Sequence, residues 1–326
     1  MNKKSILLRL KNRNKLEFKN DKLYLKFKDF VLFEIEEASF KKIDSDNLLI
    51  LKSKDTHFEY WLDQDILIPP WQTHWFQLKN SFLLKLKENI LKSLIKKGVT
   101  KAGNLNKLCR SLSMSTPAFY NLYKNNIEMI SVLKLKRLLN YLDASYMDFN
   151  NKIEYTKKGS RISINNLKFP IDLNSKYGAL LLGYIVSDGC IYIDKKGRNV
   201  IRTKYSTNEE ESIDSFTNCI SKIYGKVHFN QETIRNCTIL RIGSSIIGNS
   251  LLKAGAIMGH KAKNDGEVPW LIRFNQNLRE HYLRATFSDE ASVYMGKINY
   301  IVISRHKHIR DLNKRQLEIL KKLRIK

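Results

Sequence analysis

Hydrophobic and polar positions change their rhythm three times along this chain, and each change predicts a different kind of element. Over residues 1–79 apolar residues alternate with polar ones in short runs, as in 22-KLYLKFKDFVLFEI-35 and 47-NLLILKS-53. The segment 58-FEYWLDQDILIPPWQTHWF-76 is rich in aromatics and broken by Pro69-Pro70. Period two with turn signals predicts a small β-rich domain. Trp61, Trp71 and Trp75 read as its core, with stacking on nucleic-acid bases as the alternative.

From Ser81 to Phe149 the period becomes helical, with apolar residues at Leu83, Leu84, Leu86, Ile90, Leu91 and Leu94. Within this domain, residues 80–150, the stretch 105-LNKLCRSLSMSTPAFYNLYKNN-126 shows two short helices around a break. Leu105, Leu108, Cys109 and Leu112 make one apolar face, Ser113-Met114 interrupts it, and Ser115 caps a second helix that carries Pro117 in its first turn. A polar, basic stretch follows and reads as a linker over residues 151–174.

The third rhythm is a helix from Ser175 to Asp188 that is apolar nearly all round, the pattern of a buried helix. It ends abruptly in 180-LLLGYIVSDGCIYI-193 on an Asp-Gly pair. Ala179, Gly183 and Ser187 recur at every fourth position, so one face is a ridge of small residues. Glycine inside a helix costs about 1 kcal/mol relative to alanine, a cost that close approach of a second helix offsets. The segment 279-REHYLRATFSDEAS-292 supplies a partner. Setting Gly183 against Ala285 as the helix interface sets Asp188 against Glu290, so two carboxylates emerge side by side at the C-terminal ends of two helices. Like charges on the negative ends of two helix dipoles repel, and a divalent cation resolves the conflict.

Charge sharpens this picture. Lysine and arginine outnumber acids 58 to 32 in 326 residues, a formal net charge of +26. That excess predicts a polyanionic partner. Cys109, Cys190, Cys219 and Cys237 lie far apart with no C-x-x-C pair, which suggests neither a zinc site nor a disulfide framework and fits a reducing cytoplasm. The longest apolar run is too short to span a bilayer and the N-terminus lacks a signal-peptide core, so no membrane partner is expected.

Two resemblances follow from these residues. Residues 105–126, with 130-ISVLKLKRLLNYLDAS-145 behind them, resemble the helix-turn-helix of the Cro and lambda-repressor-like family. The resemblance implies that Thr116, Pro117, Tyr120, Asn121 and Lys124 face the major groove; a packing module with those residues merely solvated is the alternative. The motifs LLGYIVSDG and LRATFSDEA resemble those of the LAGLIDADG homing endonuclease family. In that family the two motif helices form the central interface and the acid at the eighth motif position binds magnesium at the scissile phosphates, which carries over to Asp188 and Glu290. The order of elements between the motifs is that of an αββαββα half, giving an α+β fold over residues 175–326.

The family's saddle of strands implies groove or phosphate contacts for Arg202, Lys204 and Arg241. A lysine near its metal site implies a catalytic helper in Lys261 or Lys263. Departures are visible: Ala285 and Ala291 stand where the second motif has glycines, and residues 291–326 have room for one hairpin and a basic tail, 311-DLNKRQLEILKKLRIK-326, so the second half reads as truncated. With no intein splicing residues at its ends, the chain reads as free-standing. The expectation is a Mg2+- or Mn2+-dependent, site-specific endonuclease of double-stranded DNA, or a degenerate copy of one, acting as monomer or homodimer. The alternatives are a non-catalytic transcriptional regulator on the same fold and an intron maturase bound to structured RNA.

Overall fold

The computed structural model describes residues 16–19, 22–25, 33–43, 46–54, 56–117, 119–120, 129–158, 162–194, 200–259, 268–294 and 300–303, with the backbone alone at 16–19, 158, 162–163, 290–294 and 300–303. The protein is mixed α+β, its sheets antiparallel, and it divides into two compact units: residues 1–174 with 220–228, and residues 175–219 with 229–326.

The first unit opens with β1 (Leu16–Lys19), β2 (Lys22–Leu25) and β3 (Phe33–Glu34) in one sheet, followed by a four-stranded meander of β4 (Glu37–Ile43), β5 (Asp46–Lys52), β6 (His57–Trp61) and β7 (Ile66–Ile68). The alternation that predicts these strands is the one that buries them: Leu49 and Leu51 lie in the core, as do Phe58 and Tyr60. Trp61, Trp71 and Trp75 are all buried, Trp75 donating its indole N–H to the Tyr146 carbonyl at 3.0 Å, so the three tryptophans are core and not base-stacking groups.

After β8 (Gln72–Thr73) comes β9 (Leu83–Leu86), where the leucine run suggests a helix. The run is a strand because Leu84 and Leu86 point to the core while Leu83 and Lys85 do not, and three leucines in four residues are too few for periodicity to decide. The helical part is α1 (Ile90–Ala102), α2 (Leu105–Ser111) and α3 (Val132–Tyr141), with β10 (Met129–Ser131) between α2 and α3.

Residues 151–174 are not a linker. They carry β11 (Ile153–Lys158), β12 (Ile162–Asn165) and β13 (Ile171–Asp172), and β11 and β12 join a five-stranded sheet of order β10-β9-β11-β12-β16, closed by β16 (Lys226–Val227). Their polar composition reflects strands with one solvated face; Thr156 and Ile164, paired across the strands, lie on the buried one. The separate domains expected over 1–79 and 80–150 share one core. Lys136 of α3 forms a buried ion pair with Asp46 of β5 at 2.9 Å and lies over the Trp61 ring at 4.5 Å, and Tyr146 donates to the other Asp46 oxygen at 2.9 Å. Burial, first, and the facing Asp46 carboxylate raise the Tyr146 phenol far above its ordinary pKa.

The second unit starts with α4 (Lys176–Val186), β14 (Gly189–Asp194) and β15 (Val200–Thr207). Helix α5 (Glu210–Tyr224) follows, then β17 (Asn230–Ile234) and β18 (Cys237–Ile242), α6 (Ser245–Lys253), α7 (Trp270–Phe274), α8 (Arg279–Glu290) and the pair β19 (Ala291–Tyr294) and β20 (Tyr300–Ile303). The sheet order is β14-β15-β18-β17. The second hairpin is therefore β17–β18, with residues 226–227 serving the first unit's sheet instead. No helix among the described residues is long and apolar enough to cross a membrane.

Candidate functional site

Helix α4 forms where the sequence places it. Ser175 caps it by accepting from the Gly178 N–H at 3.2 Å, and Gly178, Ala179 and every residue from Leu181 to Val186 are buried. Its partner is α8. A Cβ built on Gly183 would lie 2.7 Å from the Ala285 Cβ and 2.7 Å from the Tyr282 carbonyl oxygen, so the two backbones approach as only glycine permits. This is the register set by aligning Gly183 with Ala285, and the C-terminal ends of α4 and α8 leave the interface together.

What joins those ends is Asp289, which the sequence reading passed over. Its Oδ2 accepts from the Ser187 hydroxyl at 2.5 Å and its Oδ1 from the Tyr205 hydroxyl at 2.8 Å, and the backbone N–H of Asp188 also points to this carboxylate. Burial pushes the Asp289 carboxyl up to about 6 and the negative charge of Asp188 adds to the rise, while the donors from Ser187, Tyr205 and the Asp188 backbone hold it back. The Tyr205 phenol is raised in turn, by burial first and then by the Asp289 charge it faces.

Beside this clamp lies an open cavity of about 360 Å³ whose wall includes Asp188, Glu209, Asp289, Ser206, Asn208 and Cys237. Asp188 is exposed there. The Ser206 hydroxyl oxygen is buried and, among the described residues, has no hydrogen-bond partner. A buried hydroxyl left unpaired costs of order 1–3 kcal/mol, and Thr203 Oγ1 on the core face of the same strand shares that condition. The donor set of the cavity is hard oxygen, which suits magnesium or manganese. Among the described residues no three His, Cys, Asp or Glu side chains gather closely enough to hold an ion. Magnesium is commonly held by one or two carboxylates with the rest of its shell filled by water and substrate phosphate, so Asp188 and Glu290 are a donor set of suitable size. The Glu290 backbone ends α8 beside Asp289; its side chain lies outside the described residues.

The sheet supplies the charged surface. Thr203, Tyr205 and Thr207 of β15 face the core, which puts Arg202, Lys204 and Ser206 on the opposite face. Lys204 is level with Arg241 of β18. Both arginines are already engaged: Arg202 pairs with Asp194 at 2.8 Å, and Arg241 grips Glu232 through both terminal nitrogens. The Arg241 guanidinium holds the Glu232 carboxyl below its ordinary pKa.

In the first unit, Asn104 caps α2 by accepting from the Lys107 N–H at 2.9 Å, and Leu108, Cys109 and Leu112 are buried. Ser113 turns the chain with φ +51°, helical residues resume at Thr116, and Phe119 is buried while Pro117 and Tyr120 are exposed and Thr116 partly so. Asn121 and Lys124 lie outside the described residues, as do Lys261, Lys263 and the tail from residue 304.

No protein-family model matches the chain, and no curated protein matches it. Among solved structures it is similar to a chain described under "Structures and dynamics of mesophilic variants from the homing endonuclease I-DmoI", at 16% sequence identity and a TM-score of 0.28, covering 37% of this chain and 64% of that one. The chain therefore spans less than two thirds of that structure's length, and at this score the likeness defines neither fold nor activity.

Proposed function

We propose that this protein binds duplex DNA and hydrolyses its phosphodiester backbone with a divalent cation, through a LAGLIDADG-type αββαββα half whose second half is incomplete. The observation that carries the reading is the register of α4 on α8, with Gly183 against Ala285 and Ser187 bonded to Asp289, because it brings the Asp188 and Glu290 backbones to the same end of one helix pair. Asp188 and Glu290 would hold the cation. Bound there, magnesium or manganese would offset charge at the scissile phosphate and acidify a water.

The chain's own groups would do the rest. The Ser206 hydroxyl, which has no partner among the described residues, would donate to a phosphate oxygen, and Lys204, two residues earlier on the same strand face, would add positive charge. In the reaction the water oxygen bonds to phosphorus, the opposite P–O ester bond breaks, and a phosphate monoester and a hydroxyl result. Residues 105–120 and the excess of lysine and arginine would add grip outside the scissile site.

The test is cleavage of plasmid and genomic duplex DNA with Mg2+ or Mn2+, comparing the wild type with Asp188→Asn and Glu290→Gln. Each substitution is expected to lower cleavage at least 100-fold; identical patterns from all three proteins would remove the nuclease reading. A second reading is a non-catalytic DNA-binding regulator. It is favoured by Tyr120, which is 43% exposed beside the buried Phe119, a disposition suited to a helix read by DNA and not by the protein's own core.

A further inference from the structure

The acid that the two motifs leave without a role is one the fold holds at both oxygens. Asp289 spends both carboxylate oxygens on the protein, one on Ser187 of the α4 terminus and one on Tyr205 of β15, and it also draws in the backbone N–H of Asp188. A carboxylate so engaged has little lone-pair capacity left for a cation. Its three donors come from two elements other than its own, and one of them belongs to the main chain of the candidate ligand Asp188.

We infer that Asp289 is a positioning residue: it fixes the main chain at Asp188 and ties the ends of α4 and α8 together, so that Asp188 is held in place to meet a divalent cation. The consequence for the cation rests on the function proposed above; the tie itself does not. Hydrogen bonds that hold a metal's ligands from behind orient them, and their loss costs about 10- to 100-fold in metal affinity. Tyr205 is the rigid end of the tie, since its ring stacks on Phe216 at 4.4 Å between centroids and is buried.

The experiment uses the full-length protein and two readouts. The first is amide hydrogen exchange at Asp188 in metal-free protein, compared among wild type, Asp289→Asn, Tyr205→Phe and Asp289→Glu. Asp289→Asn is expected to speed exchange of that amide at least 10-fold while amides in α5 and β18 keep their protection, and Tyr205→Phe to speed it less. The second is Mn2+ binding followed by electron paramagnetic resonance, where Asp289→Asn is expected to weaken affinity about 10- to 100-fold at unchanged stoichiometry, with Asp188→Asn abolishing it.

Unchanged exchange at Asp188 in Asp289→Asn overturns the inference, whatever the metal result. Mn2+ binding abolished by Asp289→Asn with exchange unchanged would make Asp289 a ligand instead, which also overturns it. Absence of Mn2+ binding in the wild type would remove the metal reading, and the exchange data would still decide whether Asp289 holds Asp188.

Discussion

Gly183 and Ala285 meet so closely that a methyl group on Gly183 would stand 2.7 Å from the alanine Cβ and from the Tyr282 carbonyl oxygen. Gly183→Val is therefore expected to destabilise the second unit by about 3 kcal/mol, the upper part of the usual range for overpacking. Gly183→Ala should cost less, because a helix gains about 1 kcal/mol when alanine replaces glycine. Adding Ala285→Gly should recover only part of the loss, since the Tyr282 carbonyl stays in place. Urea unfolding midpoints of the wild type and these three variants decide this, and full recovery in the double variant would show that the side chain alone makes the contact.

The buried pair of Lys136 and Asp46 predicts that residues 1–79 and 80–150 unfold together. Lys136→Met leaves the Asp46 carboxylate buried with Tyr146 as its remaining side-chain donor in the site, and breaking such a pair from one side costs about 3–5 kcal/mol. Asp46→Asn combined with Lys136→Met should cost less than Lys136→Met alone. In a Trp270→Phe background tryptophan fluorescence reports Trp61, Trp71 and Trp75 of the first unit, and far-ultraviolet circular dichroism reports the helices. Two separate transitions for these signals within the first unit would contradict a shared core.

Cysteine alkylation reads the cavity directly. Cys219 is buried and its thiol is pushed up to about 12 by desolvation, and Cys109 is buried as well, so neither should react with iodoacetamide at pH 8 in the folded protein. Cys237 lines the cavity and is partly exposed, so it should react. Short duplex DNA with Mn2+ should slow alkylation of Cys237 at least several-fold and leave Cys190 less affected. Equal protection of both would place the DNA elsewhere.

Arg241 and Glu232 neutralise each other on the strand face proposed to meet DNA. Arg241→Ala should reduce the slope of log K against log salt by about 0.9, the value for one phosphate contact. Glu232→Gln frees the guanidinium and should tighten binding at low salt. If Arg241→Ala leaves the slope unchanged, the pair is a sheet-edge ion pair with no part in DNA binding.

Tyr120→Ala tests the first unit's part in DNA recognition. Tyr120 is 43% exposed and also makes a contact within the protein, so the variant's melting temperature is measured beside its DNA affinity. Specific DNA affinity should fall by roughly 10-fold if this helix enters the groove. Unchanged affinity with unchanged stability would leave Tyr120 a solvated residue.

The helix pair was legible because its signal is local and redundant: small residues at every fourth position, an apolar surround, and two segments that align through Gly183 and Ala285. Asp289 was not, because a helix turns each successive side chain by about 100° and Ser288, Asp289 and Glu290 are all polar, so the string alone does not say which one turns inward. The available clue was Ser187, a hydroxyl at the register position opposite Asp289. The strands β9, β11 and β12 were missed for a different reason. Leu83–Leu86 matches a helix as well as a strand, and 151–174 looks like a linker until its hydrogen-bonding partners, which lie far away in sequence, are known.

One of those partners comes late in the chain. The first unit's five-stranded sheet ends on β16, whose Lys226 and Val227 pair with Asn165 and Ile164, and Gly225 enters that pairing at φ +85° against the Asn165 and Asn166 carbonyls. During synthesis β12 therefore emerges as an open sheet edge and stays one while α4, β14, β15 and α5 are made, about 60 residues or roughly 3–12 s at ~5–20 residues per second. For that interval the nascent chain carries an unprotected strand. A ribosome paused between codons 175 and 225 prolongs that exposure, because the residues that cover the β12 edge have not yet been made.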